Sequence, residues 1–246
     1  MGGKAIIDGI AFEKTSLRGA LEKAEELIGR GEPSYVVTPN PEILYQALKD
    51  ETLHSALREA DLVIPDSVGC RIASKILGDP IPYKVAGVEF GEALLKLAAE
   101  KGYTVWLLGA KPGVAEKAGE NMKEKYPGLK LLGTSDGYFK DAGPVLEKIR
   151  QSGAQILFVC LGAPKQESFI YDHKHETGAI LHLALGGSLD VYAGTVERAP
   201  RWMIQSGLEW LYRLIKEPKR LGRMTRIPLY LLHCVKVRLN RRNRGK

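Results

Sequence analysis

Five short segments of this chain combine polar side chains, glycine and proline in ways that could serve a reaction. In Val37-Thr38-Pro39-Asn40-Pro41-Glu42 two prolines bracket Asn40, disfavouring helix at Thr38 and Asn40, while Pro41 suits a first helical position. Asn40 is then either an N-cap with Glu42 in the first turn, or a polar group offered to a ligand beside the Thr38 hydroxyl. In Val63-Ile64-Pro65-Asp66-Ser67-Val68-Gly69 a carboxylate follows an apolar run and precedes a helix starting near Ser67. Asp66 could cap that helix, or act as a general base on a substrate hydroxyl in a partly desolvated crevice.

The next two segments are glycine turns, Gly109-Ala110-Lys111-Pro112-Gly113 and Gly162-Ala163-Pro164-Lys165-Gln166-Glu167. Glycine lets backbone approach a phosphate, a following helix offers free N–H groups, and Lys111 and Lys165 add charge. Together they suggest a diphosphate cradle, although neither matches a Walker or dinucleotide fingerprint. In Leu185-Gly186-Gly187-Ser188-Leu189-Asp190 the glycines admit either a close ligand or an ordinary tight turn, and Asp190 could bind a sugar hydroxyl. No DxD pair occurs, so the carboxylate bridge that holds a divalent ion in many nucleotide-sugar enzymes is missing, and no metal site is expected. Asp172-His173-Lys174-His175-Glu176 reads as a solvated turn, no Ser/His/Asp or Cys/His constellation stands out, and no cofactor is expected.

The elements that must position these segments alternate. Apolar runs at Tyr35–Thr38, Leu62–Ile64, Thr104–Leu108, Lys130–Gly133, Gln155–Cys160 and Ile180–Ala184 read as strands. Leu17–Ile28, Phe90–Ala99, Val114–Lys125 and Val145–Gln151 read as helices by their 3–4 spacing, and Ala5–Phe12 as a hairpin around Asp8-Gly9. The pattern predicts a Rossmann-like α/β fold, a largely parallel sheet flanked by helices, in which ligands bind beyond the carboxyl ends of the strands.

Charge divides the 246 residues. Residues 198–246 hold 14 Lys/Arg against Glu209 and Glu217, whereas residues 1–197 hold 22 against 27 Asp/Glu. The expectation is a catalytic body over 1–197 and a basic amphipathic helical appendage over 198–246. Its helices are expected at Trp202–Ile215 and Ile227–Leu239, separated by Pro218 and Gly222. The longest tail run, Ile227–Val235, is half of a membrane span, and the N-terminus lacks a signal-peptide run. Three widely spaced cysteines suit a reducing compartment. The chain is therefore expected to be cytoplasmic and held peripherally on the anionic inner face of the cell membrane. A nucleic-acid partner is not expected, because the tail is too apolar for a phosphate stripe.

Thr38-Pro-Asn-Pro-Glu42, Pro65-Asp66-Ser-Val-Gly69, Gly162–Glu167, Gly186–Asp190 through Ala199-Pro-Arg-Trp202, Gly207–Leu214 and Glu217–Arg220 resemble the WecG/TagA/CpsF family of glycosyltransferases over nearly the whole chain. That resemblance implies transfer of N-acetylmannosamine from UDP-ManNAc to the 4-hydroxyl of GlcNAc on undecaprenyl diphosphate, in wall teichoic acid linkage-unit synthesis. It implies Asp66 as catalytic base, Thr38 as its substrate-positioning neighbour, and Gln166 and Asp190 at the nucleotide-sugar pocket. It further implies arginines of the tail on the diphosphate, with Arg213, Arg220 and Arg223 as the candidates. Lys84 stands where many relatives carry arginine, keeping the charge without the bidentate fork. Self-association of the body off the membrane is compatible with this scheme.

Overall fold

The structure, a computed structural model, describes residues 3–216, 218 and 221–244, with the side chains at 205, 213, 242 and 244 outside the description. One eight-stranded sheet runs through the described residues. Its strands are β1 Lys4–Ile7, β2 Ile10–Glu13, β3 Ser34–Val37, β4 Leu62–Val63, β5 Thr104–Gly109, β6 Lys130–Ser135, β7 Ile156–Cys160 and β8 Leu181–Ala184. Their order is β1-β2-β4-β3-β8-β7-β5-β6, and every pairing is parallel except the β1–β2 hairpin. All six strands read from the apolar runs, and the hairpin, form within a residue or two of expectation.

The central strands β3, β7 and β8 are buried at every position, as continuous apolar runs covered on both faces require. The chain steps from β3 outward to β4, crosses to β5 on the far side, then fills the centre with β7 and β8. That crossing makes a crevice above the middle of the sheet, where the loops after the parallel strands meet.

Helices cover both faces: α1 Leu17–Arg30, α2 Pro41–Ala47, α3 Glu51–Arg58, α4 Val68–Leu77, α5 Gly87–Lys101, α6 Val114–Lys125, α7 Gly143–Ser152, α8 Lys165–His173 and α9 Ser188–Tyr192. Local chemistry sets their ends. Ser16 caps α1 through Gly19 N–H, Ser67 caps α4 through Cys70 N–H, and left-handed Gly31, Gly78, Gly102 and Gly153 close α1, α4, α5 and α7.

The basic C-terminal segment forms α10 Arg201–Gln205, α11 Glu209–Lys216, α12 Leu221–Met224 and α13 Arg226–Arg244. The single helix expected over Trp202–Ile215 is therefore two. The break falls at Gly207, whose φ of 72° is left-handed and whose missing Cβ lets the turn sit on Val68 of α4. The helix expected over Ile227–Leu239 forms within α13, which packs against α2 and α4.

Tyr230 and Cys234 of α13 are completely buried in the core layer that holds Ile7, Phe12 and Val37. The Tyr230 hydroxyl donates to Asp8 Oδ2 (2.8 Å), and the His233 ring meets Asp8 Oδ1 (3.2 Å). Asp8 occupies a left-handed position, φ 48°, in the Asp-Gly hairpin turn, so the turn residue that closes β1–β2 also receives the last helix. No helix of the described residues is long and apolar enough to cross a membrane.

Candidate active site

A cavity of about 1120 Å³ opens at the carboxyl edge of the sheet. Its walls come from the loops after β3, β4, β5, β6, β7 and β8, closed on one side by residues of α11 to α13.

Asp66 lies on the floor. Ser67, not Asp66, caps α4, so the carboxylate is spared that duty; instead Gly87 N–H, at the start of α5, donates to Asp66 Oδ1 at 3.0 Å. Thr38 stands beside the same backbone. Its side chain is buried, its hydroxyl donates to Ala184 O (3.0 Å), and a Cβ at Gly87 would come within 2.9 Å of Thr38 Oγ1. Glycine at position 87 thus allows Asp66 and Thr38, from two different strand ends, to share one wall. Asn40 caps α2 by accepting from Glu42 and Ile43 N–H (2.9 and 3.1 Å), so its carbonyl oxygen is committed to the helix while the residue still lines the cavity.

The opposite wall is tied together by Gln166, which is 2% exposed. Its Oε1 accepts from Gly162 N–H (3.2 Å) and Gly186 N–H (2.8 Å), pinning the loops after β7 and β8 to each other. Its Nε2 donates to Glu167 Oε1 (2.9 Å). Glu167 is buried, its Oε2 has no hydrogen-bond partner among the described residues, and desolvation pushes its pKa up to about 7. Gly162, Gly187 and Asp190 line the cavity, and the Asp190 carboxylate makes no hydrogen bond or ion pair among the described residues. The left-handed glycine of the 186–187 pair is Gly186, φ 55°.

The glycine-turn expectation needs one correction. Gly109 does not line the cavity; a Cβ there would lie 2.3 Å from Cys160 O, so this glycine serves the close approach of β5 to β7. The turn reaches the cavity through Ala110, at a left-handed φ of 58°, and through exposed Lys111. Lys165 is partly committed. Its ammonium donates to Gly137 O (2.9 Å) and lies over the Phe139 ring, holding the loop after β6 against the cavity.

Ion pairs join the last segment to the body at the rim. Lys84 lies 3.8 Å from Glu209 Oε2 of α11, and Arg223 Nε lies 3.0 Å from Glu42 Oε1 at the start of α2. The Arg213 side chain and Arg220 lie outside the described residues. Among the described residues, no group of three His, Cys, Asp or Glu converges as metal ligands.

Two contributors escaped the sequence reading. Arg198 lines the cavity, with Nη2 donating to Glu89 Oε1 (2.9 Å) and a buried Nε that has no hydrogen-bond partner among the described residues. It was visible only as the first charge of the basic segment. The loop Asp136–Phe139 places exposed Tyr138 at the rim; its signal was the Asp-Gly turn after β6, a strand that runs two residues beyond the expected end.

Residues 5–244 match the family model described as glycosyl transferase WecG/TagA/CpsF family. A protein of Bacillus spizizenii is 36% identical over 94% of this chain and 89% of its own length. One of Bacillus subtilis is 37% identical over 84% of this chain and 81% of its own, and one of Staphylococcus aureus is 29% identical over 96% and 93%. All three are named N-acetylglucosaminyldiphosphoundecaprenol N-acetyl-beta-D-mannosaminyltransferase.

Proposed function

We infer the reaction from one premise: the chain belongs to the glycosyl transferase WecG/TagA/CpsF family. It is a glycosyltransferase, and its relatives' names describe mannosaminyl transfer to a diphosphoundecaprenol-linked acceptor. The reaction proposed for this chain is transfer of N-acetylmannosamine from UDP-ManNAc to the 4-hydroxyl of GlcNAc-diphospho-undecaprenol, in teichoic acid linkage-unit synthesis. The observation that carries this reading is Asp66, oriented by Gly87 N–H on the floor of a cavity built from six strand-end loops.

In the proposed step Asp66 takes the proton as the acceptor oxygen forms its bond to the sugar anomeric carbon. The bond from that carbon to the UDP oxygen breaks on the opposite face, so the product is inverted and UDP departs with the electron pair. Thr38 bounds the acceptor side. Gly162, Gly187 and the Gln166-pinned loops bound the donor, and Asp190 is placed to accept from a donor hydroxyl. Lys111, Lys165, Lys84 and Arg198, with Arg213, Arg220 and Arg223 from the last segment, are the cations proposed to meet the leaving charge without a metal. Breaking the half-exposed Arg223–Glu42 pair to reach a phosphate costs about 1 kcal/mol or less.

Residues 1–197 are read as the catalytic body and 198–246 as the appendage that completes it at the inner face of the membrane. Exposed Leu229, Leu232, Val235 and Leu239 on α13, with Trp202, Trp210 and Ile215 before it, support a peripheral lipid contact beside Lys236 and Arg241. Self-association off the membrane belongs to the same proposal.

The test is a donor screen of UDP-sugars against a GlcNAc-diphospho-lipid acceptor, with and without EDTA. UDP-ManNAc is expected to react fastest, with EDTA leaving the rate unchanged. Preference for another UDP-sugar would replace the donor, and loss of activity in EDTA would overturn metal independence.

A further inference from the structure

A second depression, of about 410 Å³, runs along the outer face of α4. One wall is Val68 and Ile72; the other is the loop Pro80-Ile81-Pro82 that leads toward α5. Arg71 and Lys75, one turn apart on α4, stand at its edge, and among the described residues none that lines it is acidic. Prolines 80 and 82 have no N–H, so at these positions the wall offers no backbone donor. Ile72 is 44% exposed, so its apolar side chain is open to a ligand between the two cations. Val68 and Ile72 also line the large cavity, so the two spaces adjoin across these two side chains.

We propose that this groove holds the first isoprene units of the lipid-diphosphate acceptor, an inference that rests on the transferase reading above. Asp66, Ser67 and Val68 are consecutive, so the first turn of α4 leads from the proposed base directly to the groove. In the proposed pose the acceptor 4-hydroxyl lies at Asp66 and the diphosphate, one sugar length away, lies beside the start of α4. There the first-turn N–H groups other than that of Cys70, which Ser67 caps, favour an anion. The chain beyond the diphosphate has no hydrogen-bonding group, and an apolar trough without carboxylates is the surface that suits it. Arg71 and Lys75 then face the phosphates or the anionic headgroups around the emerging lipid.

The experiment compares GlcNAc-diphospho-lipids bearing a single prenyl unit, a farnesyl chain or a full polyprenyl chain in detergent, with UDP-ManNAc as donor. For the full-length wild-type protein, kcat/KM is expected to rise about tenfold or more between the first two acceptors and little thereafter. Pro80→Glu and Pro82→Glu, on the wall that lines the groove and not the large cavity, should each remove most of that chain-length advantage while the KM for UDP-ManNAc stays at its wild-type value. Both positions are exposed, so either folded variant serves if the other fails. A wild-type enzyme indifferent to chain length, or variants that slow all acceptors equally, would overturn the groove while leaving the transferase reading intact. No transfer to any lipid acceptor from any UDP-sugar would remove both.

Discussion

The basic C-terminal segment contains two helices that meet the body in opposite ways. α13 inserts Tyr230 and Cys234 into the core and ties Tyr230 and His233 to the hairpin turn at Asp8. α11 buries none of its described residues and meets the body through Lys84–Glu209 and a turn packed on Val68. A helix held by buried apolar area opens only with the fold, whereas one held by rim contacts can lift at a fraction of that free energy. The same stretch of positive charge therefore contains an anchor and a cover, and the cover lies over the cavity.

The largest effect should come from the floor that both helices leave undisturbed. Asp66→Asn is expected to slow transfer by about 10²–10⁴-fold, while calorimetry finds UDP binding retained. Wild-type turnover in this variant would remove Asp66 from the mechanism and the cavity floor from the comparison. Next, Tyr230→Ala should destabilise the protein by about 3–5 kcal/mol in urea unfolding, since it empties a fully buried aromatic site and strips Asp8 of a donor. A loss below about 1 kcal/mol would mean that α13 is no anchor.

Glu167 gives a pH signature inside the body. Its folded pKa of about 7 lies above the ordinary carboxylate value, so the neutral form is favoured in the fold and ionisation opposes folding. The penalty is absent below the unfolded pKa, grows as pH rises toward 7, and is complete above it. Glu167→Gln keeps an acceptor for Gln166 and cannot ionise. Its stability advantage over wild type should grow between pH 5 and pH 8, to roughly 3 kcal/mol at most, in urea midpoints measured across that range.

The smallest stability effect belongs to the cover. Trp210→Ala, at a residue 45% exposed on the cavity rim, should shift unfolding by about 1 kcal/mol or less yet lower kcat/KM by about tenfold. Equal losses in stability and activity would make α11 a structural helix like α13.

Sequence patterns resolved the elements well where the signal was local. Apolar runs located the strands, Asp-Gly the hairpin, and Pro41 after Asn40 a capped helix start. The Trp202–Ile215 reading failed at Gly207, because an interior glycine signals a break only when something, here Val68, packs against it. Thr38, Asp66, Lys111, Gly162 and Asp190 line the cavity because each follows a strand, the cue by which the sequence singled them out. Gly109 was assigned to the cavity from the same cue, and the approach of Cys160 shows another use.

The chain by itself determined which apolar runs become strands, most of the helices that follow them, and that polar residues gather at strand ends. Those outcomes depend on backbone preference and side-chain period within a few residues. Only the tertiary structure decided that Gln166 joins two loops, that Arg198 enters the cavity, that Glu209 meets Lys84, and that Tyr230 reaches Asp8. Each depends on strand order and helix docking, which bring together residues separated by tens to hundreds of positions. Periodicity carries no record of such separations, because it reports which face of an element is buried and not which partner buries it.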